Sequence, residues 1–131
     1  MTEKQRKLYE TWRRHFNNEI EEALQTHTPE QATMTILTAL LRLRQICIFP
    51  ELFKKEFITA GSGKFDHLKD MIDEMLFEDH KVICFSQFVK ALSIMRKHFD
   101  AQHIRYSYID GQTKNREDQI ETFQKSDSIP L

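Results

Sequence analysis

Two short polar loops carry the residue types best suited to chemistry. Ser86-Gln87 follows the apolar run Val82-Ile83-Cys84-Phe85, and Asp110-Gly111-Gln112-Thr113 follows the run Ile104 to Ile109. Each loop leads into a helical pattern. Free amides and the helix dipole at such a junction favour an anion such as phosphate. The same residues also suit ordinary turns, with Ser86 as a cap and Asp110-Gly111 supplying turn geometry. Residue types alone leave both readings open, since every α/β domain has loops of this kind. Other chemistries are poorly supplied. Cys47 and Cys84 lie far apart in apolar runs and read as two buried, reduced thiols. The 6 His residues form no close Cys/His cluster, so no metal site is expected. A glycine-rich phosphate cradle and an acidic pair at a strand end are both missing, so no catalytic residue is expected either.

The elements that must position these loops follow from the period of the apolar residues. Thr2 and Gln5 form a capping-box signature, followed by Leu8, Trp12, Phe16, Ile20, Ala23 and Leu24 on one helical stripe. Thr28-Pro29-Glu30-Gln31 restarts a helix with a cap, a first-turn proline and a second capping box. That helix carries Ile36, Leu37, Leu40, Leu41, Leu43 and Ile46, is apolar nearly all round, and should be largely buried. Pro50 ends it. The two helices should form an antiparallel pair. Residues 54–63 make a polar connection holding Gly61 and Gly63, and Ser62 suits the cap of the next helix. Its stripe runs through Phe65, Leu68, Met71, Ile72, Met75 and Leu76.

At Val82 the period changes. Val82 to Phe85 is a short, continuous run of strand formers, as expected of a parallel strand buried on both faces. Phe88 to Phe99 reads as a helix, Ile104 to Ile109 as a second strand, and Lys114 to Gln124 as a helix with Ile120 and Phe123 facing in. Ser128 to Leu131 begin a further apolar run. The order predicts an α/β fold: a three-layer domain with a parallel sheet, strands near 81–86 and 104–109 adjacent, preceded by a helical segment. The organisation expected is a helical segment over 1–53, a connection over 54–63 and the α/β part over 64–131.

Composition narrows the class. With 131 residues, 40% hydrophobic and 30% charged, and only 3 Gly and 3 Pro, the chain suits one helix-rich globular domain rather than a disordered tail. No apolar run approaches the length that spans a bilayer, so no membrane partner is expected. A net charge of -1 counts against a stand-alone nucleic-acid binder.

Five strings in series carry a family resemblance. KVICFSQFVKALSIM at 81–95 resembles the fourth helicase motif in the carboxyl-terminal lobe of Swi/Snf-type ATPases, and YIDGQTKNREDQIETFQ at 108–124 is similar to the block that follows it. LLRLRQICIFPELF at 40–53 looks like that family's leucine-arginine block, and SGKFDHLKDMIDEML at 62–76 and TEKQRKLYE at 2–10 also match. The TKNR wording points to the bacterial branch. The resemblance implies a partial RecA-like carboxyl-terminal helicase lobe, from a motor that uses ATP and Mg to move along double-stranded DNA. It implies an amino-terminal lobe of the same parent chain as partner and the bacterial cytosol or nucleoid as location. On this sequence Ser86 and Gln87 would approach the DNA backbone. Gly111, Thr113, Lys114 and Arg116 would contact phosphates, binding backbone oxygens without reading bases.

Two positions depart from the family wording. Phe49 stands where the family usually has His before the proline, which reads as a packing variation. Gln112 replaces a Ser, which removes one candidate phosphate-binding hydroxyl but leaves Thr113. The later family blocks, with the arginine that completes the nucleotide site, are expected beyond Leu131. The chain is therefore expected to be a lobe fragment that binds no cofactor and does not hydrolyse ATP alone. The alternative is a non-enzymatic α/β interaction module docking a partner through Trp12, Phe16 and neighbouring apolar side chains.

Overall fold

The computed structural model describes residues 1–126 and 129–131. Five α-helices follow one another: α1 (Glu3–Thr26), α2 (Pro29–Ile48), α3 (Gly63–Phe77), α4 (Val89–Ala101) and α5 (Arg116–Lys125). Two 3₁₀ turns, Pro50–Leu52 and Lys55–Ala60, lie between α2 and α3. The chain divides into two compact units, Met1–His67 and Leu68–Leu131.

In the first unit both capping boxes form. Thr2 and Thr28 each accept from the amide of the glutamine three residues on, and each glutamine side chain bonds back to the cap amide. Only His27 and Thr28 separate α1 from α2. The two therefore run antiparallel, which puts the start of α1 beside the end of α2. Buried Phe16 and Ala23 on α1, and Ala32, Ala39 and Ile46 on α2, recur every seven residues. That spacing makes a narrow seam of the coiled-coil kind, with alanines letting the backbones approach.

The narrow seam corrects one expectation: α2 is not largely buried. Leu37 is 54% exposed, and Met34, Leu40 and Leu41 are exposed too. One helix covers one side of another, so an all-round apolar helix keeps an open face until more elements pack on it.

The join of α1, α2 and α3 depends on Gln5, which has no solvent exposure. Its Nε2 donates to the carbonyls of Ile46 (2.8 Å) and Cys47 (3.2 Å) at the end of α2. Its Oε1 accepts from the amides of Thr2 and Gly63, both at 3.2 Å. A carboxamide has two donors and room for two acceptor bonds, and here every one is used. Ser62 repeats the device: it caps α3 by accepting from Phe65 N at 3.1 Å and donates to the carbonyl of Ile48. Phe49 is buried with its ring 5.1 Å from that of Phe65, so the departure from the family wording fills core space. Trp12 and Phe16 pack on Phe53 at 4.7 and 6.2 Å between centroids, and the ammonium of Lys54 sits 4.5 Å from the Trp12 ring. Phe16 is therefore buried in this aromatic cluster, and Trp12 is half-buried.

The second unit overturns the expected sheet. Among the described residues there is no strand. Residues 81–86 and 104–109 are extended, but among the described residues each makes one backbone bond to a distant segment, Val82 N to Pro130 O (2.8 Å) and Ser107 N to Leu131 O (2.7 Å). Both bonds go to the same apolar segment, so the two extended runs meet it rather than each other. A parallel ladder needs repeated, evenly spaced bonds, and one per segment does not make one. The burial pattern agrees: Ile83 is 66% and Phe85 91% exposed, not enclosed on both faces. An apolar cleft of about 470 Å³ remains among Val82, Phe85, Met95, Phe99, Ile120 and Phe123. The apolar run expected at 128–131 is described from Ile129 onward, and Ser128 lies outside the described residues.

The core of this unit is Ile72, Ala91, Met95, Phe99 and Leu131. Helices α3 and α4 end alike. Asp79 (φ 61°) and His103 (φ 56°) take the left-handed conformation, while His80 N bonds Met75 O and Ile104 N bonds Phe99 O, both at 2.9 Å. This stops each helix and releases an extended run. Cys47 and Cys84 are free and half-buried rather than fully buried, and desolvation raises both thiol pKa values.

Gln5→Leu is expected to strand the Ile46 and Cys47 carbonyls and lower stability by about 2–4 kcal/mol. Urea unfolding followed by circular dichroism measures this, and a loss below about 0.5 kcal/mol would show that Gln5 is dispensable. Gly63→Ala places a Cβ 2.7 Å from the Met1 backbone, and the same assay should show a loss of about 1 kcal/mol or more.

Candidate functional site

The loop between the second extended run and α5 is built around Asp110. Its amide donates to Thr113 Oγ1 (2.9 Å), and its carbonyl accepts from Thr113 N (3.3 Å) and from the Arg116 guanidinium (3.2 Å). Its carboxylate accepts from Gln112 N (2.9 Å) and Thr113 Oγ1 (3.1 Å) on one oxygen, and from the Tyr108 hydroxyl (3.0 Å) on the other. Aspartate at the head of a turn bonds its own backbone two residues on, which is why the sequence folds here. The Gln112 amide, then the Tyr108 hydroxyl, favour the ionised carboxylate and hold its pKa below the ordinary 3.8. The Tyr108 phenol moves up instead, through desolvation and its bond to Asp110.

A second layer supports Tyr108. The Arg96 guanidinium on α4 lies 4.3 Å from the Tyr108 ring centre, and its Nε donates to Tyr106 Oη at 3.2 Å. Tyr106 in turn donates to Asp100 at 2.8 Å. Gln119 on α5 accepts from Ser107 Oγ (3.1 Å) and Tyr108 N (3.4 Å), tying the helix to the extended run. An open polar groove of about 560 Å³ runs beside the loop, bounded by Arg96, Tyr108, Asp110, Thr113 and Lys114 among others.

The predicted site residues fall into groups. Thr113 and Lys114 line the groove, and Lys114 is exposed with no side-chain hydrogen bond among the described residues. Arg116 is exposed and reaches the loop carbonyl, with no ion pair to Glu117, Asp118 or Glu121 among the described residues. The Thr113 hydroxyl proton is held by Asp110, so a bond from it to phosphate requires leaving that partner. Gly111 keeps an ordinary φ, and a Cβ there meets nothing within 4 Å, so glycine is not sterically required. Asn115 gives α5 no side-chain cap, which leaves its first amides open. Ser86 accepts from Phe88 N (3.1 Å) in a tight local turn, and Gln87 is exposed. Neither lines the groove. Sequence reasoning missed Arg96, Tyr108 and Gln119. The available signal was spacing: Tyr108 and Asp110 are two apart on an extended run, so they share a side.

Residues 63–131 match the helicase conserved C-terminal domain. The chain belongs to this family. It is 30% identical over 119 residues to an uncharacterized ATP-dependent helicase of Mycoplasma pneumoniae, covering 89% of this chain and 11% of that protein. The structure superposes on the Sulfolobus solfataricus SWI2/SNF2 ATPase C-terminal domain with TM-score 0.81 and 27% identity, over 99% of this chain and 57% of that one. It also superposes on the ATPase core from the same organism in complex with dsDNA, with TM-score 0.79 and 27% identity, over 99% of this chain and 28% of that one. The chain thus spans about a tenth of the curated relative's length. One bacterial and two archaeal comparisons at similar identity do not single out the bacterial branch.

A depressed carboxylate pKa means that the ionised form is favoured by the fold. The contribution of Asp110 is therefore complete above its ordinary pKa and lost as pH falls through the lower folded value. Carboxyl NMR titration should place Asp110 below a free aspartate, and Tyr108→Phe should move it back up. An unchanged titration in that variant would mean the Tyr108 bond does not form in solution.

Proposed function

We propose that this chain supplies part of the second motor lobe of an ATP-dependent double-stranded-DNA translocase, and that its loops contribute contacts to the DNA backbone. The observation that carries this is the match across 99% of the chain to a SWI2/SNF2 ATPase core solved in complex with dsDNA. The name of the Mycoplasma relative adds ATP dependence. In this reading the whole protein uses ATP with Mg and works in the cytosol or nucleoid, and an amino-terminal lobe of the same polypeptide is the partner of this one.

Charge and exposure assign the roles. Lys114 and Arg116 are exposed cations flanking the uncapped start of α5, suited to phosphate oxygens. Arg116 keeps most of its five donors after its one bond to Asp110 O. Gln87 offers an exposed neutral amide, and the backbone at Gly111 can approach closely because no side chain intervenes. Ser86 and Thr113 hold their turns in shape, and either hydroxyl could exchange its internal partner for a phosphate. None of these contacts reads a base, which suits a motor that must pass over any sequence. The exposed apolar face of α2, at Met34, Leu37, Leu40 and Leu41, favours a second reading in which this chain docks another protein surface.

Arg116→Ala should weaken duplex affinity about equally for different sequences and lower the salt slope by about one. It should change stability by about 0.5 kcal/mol or less. Fluorescence anisotropy with two unrelated duplexes across a salt series, beside a melting curve, checks both. Wild-type affinity with the wild-type slope would remove Arg116 from the DNA contact.

A further inference from the structure

Asp110 is held both by its own loop and from outside it. One carboxylate oxygen is occupied by the loop's own Gln112 and Thr113, and the other is taken by the Tyr108 hydroxyl at 3.0 Å. The Tyr108 ring lies under the Arg96 guanidinium at 4.3 Å, a stacked cation–π arrangement from a different element. The Nε of Arg96 is fixed by Tyr106, which is itself anchored on Asp100 one turn along α4. The chain of contacts runs from α4 through two tyrosines to the loop, and then from the Asp110 carbonyl to Arg116.

We propose that Arg96 and Tyr108 are positioning residues, which fix Asp110 so that its loop presents Lys114 and Arg116 for contact with phosphate. The use of the loop rests on the DNA reading above, whereas the shape of the loop does not. Arg96 is suited to this role rather than to gripping DNA, since its flat face is committed to Tyr108 and its Nε to Tyr106. A lysine would keep the charge but lose the planar stack and the fixed fork.

The test uses the whole 131-residue chain with Tyr108→Phe, Arg96→Lys and Arg96→Met, beside Arg116→Ala. Loop shape is read without DNA, as hydrogen exchange at the Gln112 amide, which bonds to Asp110. Tyr108→Phe removes one hydroxyl, so thermal unfolding should stay near wild type while Gln112 exchange speeds up about three- to tenfold. Arg96→Lys should move exchange in the same direction by a smaller factor. Affinity for a fluorescein-labelled duplex should fall by about the same factor in Tyr108→Phe, with the salt slope unchanged because no cation–phosphate contact is lost. Unchanged Gln112 exchange in Tyr108→Phe would overturn the positioning role. A slope lowered by about one in Arg96→Met would overturn it for Arg96, by showing that this side chain grips phosphate itself. Faster exchange in Tyr108→Phe from a wild type that binds no duplex would support the positioning role and reject the DNA reading on its own.

Discussion

The first unit depends on one buried carboxamide. Helix ends expose amides and carbonyls that no helix can satisfy internally, and three such ends converge on Gln5: the start of α1, the end of α2 and the start of α3. Burying them without partners would be unfavourable at each group. Only a carboxamide donates twice and accepts twice from one planar head. Glutamate would face the Ile46 and Cys47 carbonyls with no donor, methionine would leave all four groups unmet, and asparagine is one methylene short. The close approach of Met1 to Gly63 follows, since the Gly63 amide must reach Oε1.

The second unit answers a similar problem with the opposite chemistry. Its turn converges on Asp110 with donors from Gln112, Thr113 and Tyr108, so an acceptor-only carboxylate fits where an amide would not. Several donors share the negative charge locally. The nearby Arg116 bonds the Asp110 carbonyl rather than pairing with the carboxylate. An anion arriving at Lys114 and Arg116 therefore meets cations that no ion pair among the described residues has neutralised.

What the sequence made legible was local. Both capping boxes, the proline stop after α2 and the Ser62 cap involve residues within a turn of one another, and each formed. Gln5 was visible as a cap partner of Thr2. Its bonds to residues 46, 47 and 63 were not, because no periodic signal joins positions that far apart. The run Val82 to Phe85 was read as a sheet strand, and it is not one. β-branched residues favour an extended backbone, but a ladder requires a neighbour, and Phe85 stands exposed. The same limit applies to α2, whose composition announced burial on more sides than α1 can cover. At the candidate site, residue types marked the Asp110 loop but favoured an ordinary turn over a phosphate contact. The resemblance across five strings tipped the reading toward DNA. Arg96 and Tyr108 escaped notice because their stack joins a helix to an extended run.

Trp12 is the one tryptophan of the sequence, and it lies in the first unit with the Lys54 ammonium against its ring. Its emission therefore reports on Met1–His67 alone. The two cysteines divide in the same way, Cys47 in one unit and Cys84 in the other. Each unit carries its own intrinsic optical or thiol-labelling handle. Whether the units melt together or in sequence can be followed in the unmodified polypeptide, with the indole signal assigned to one and Cys84 alkylation to the other.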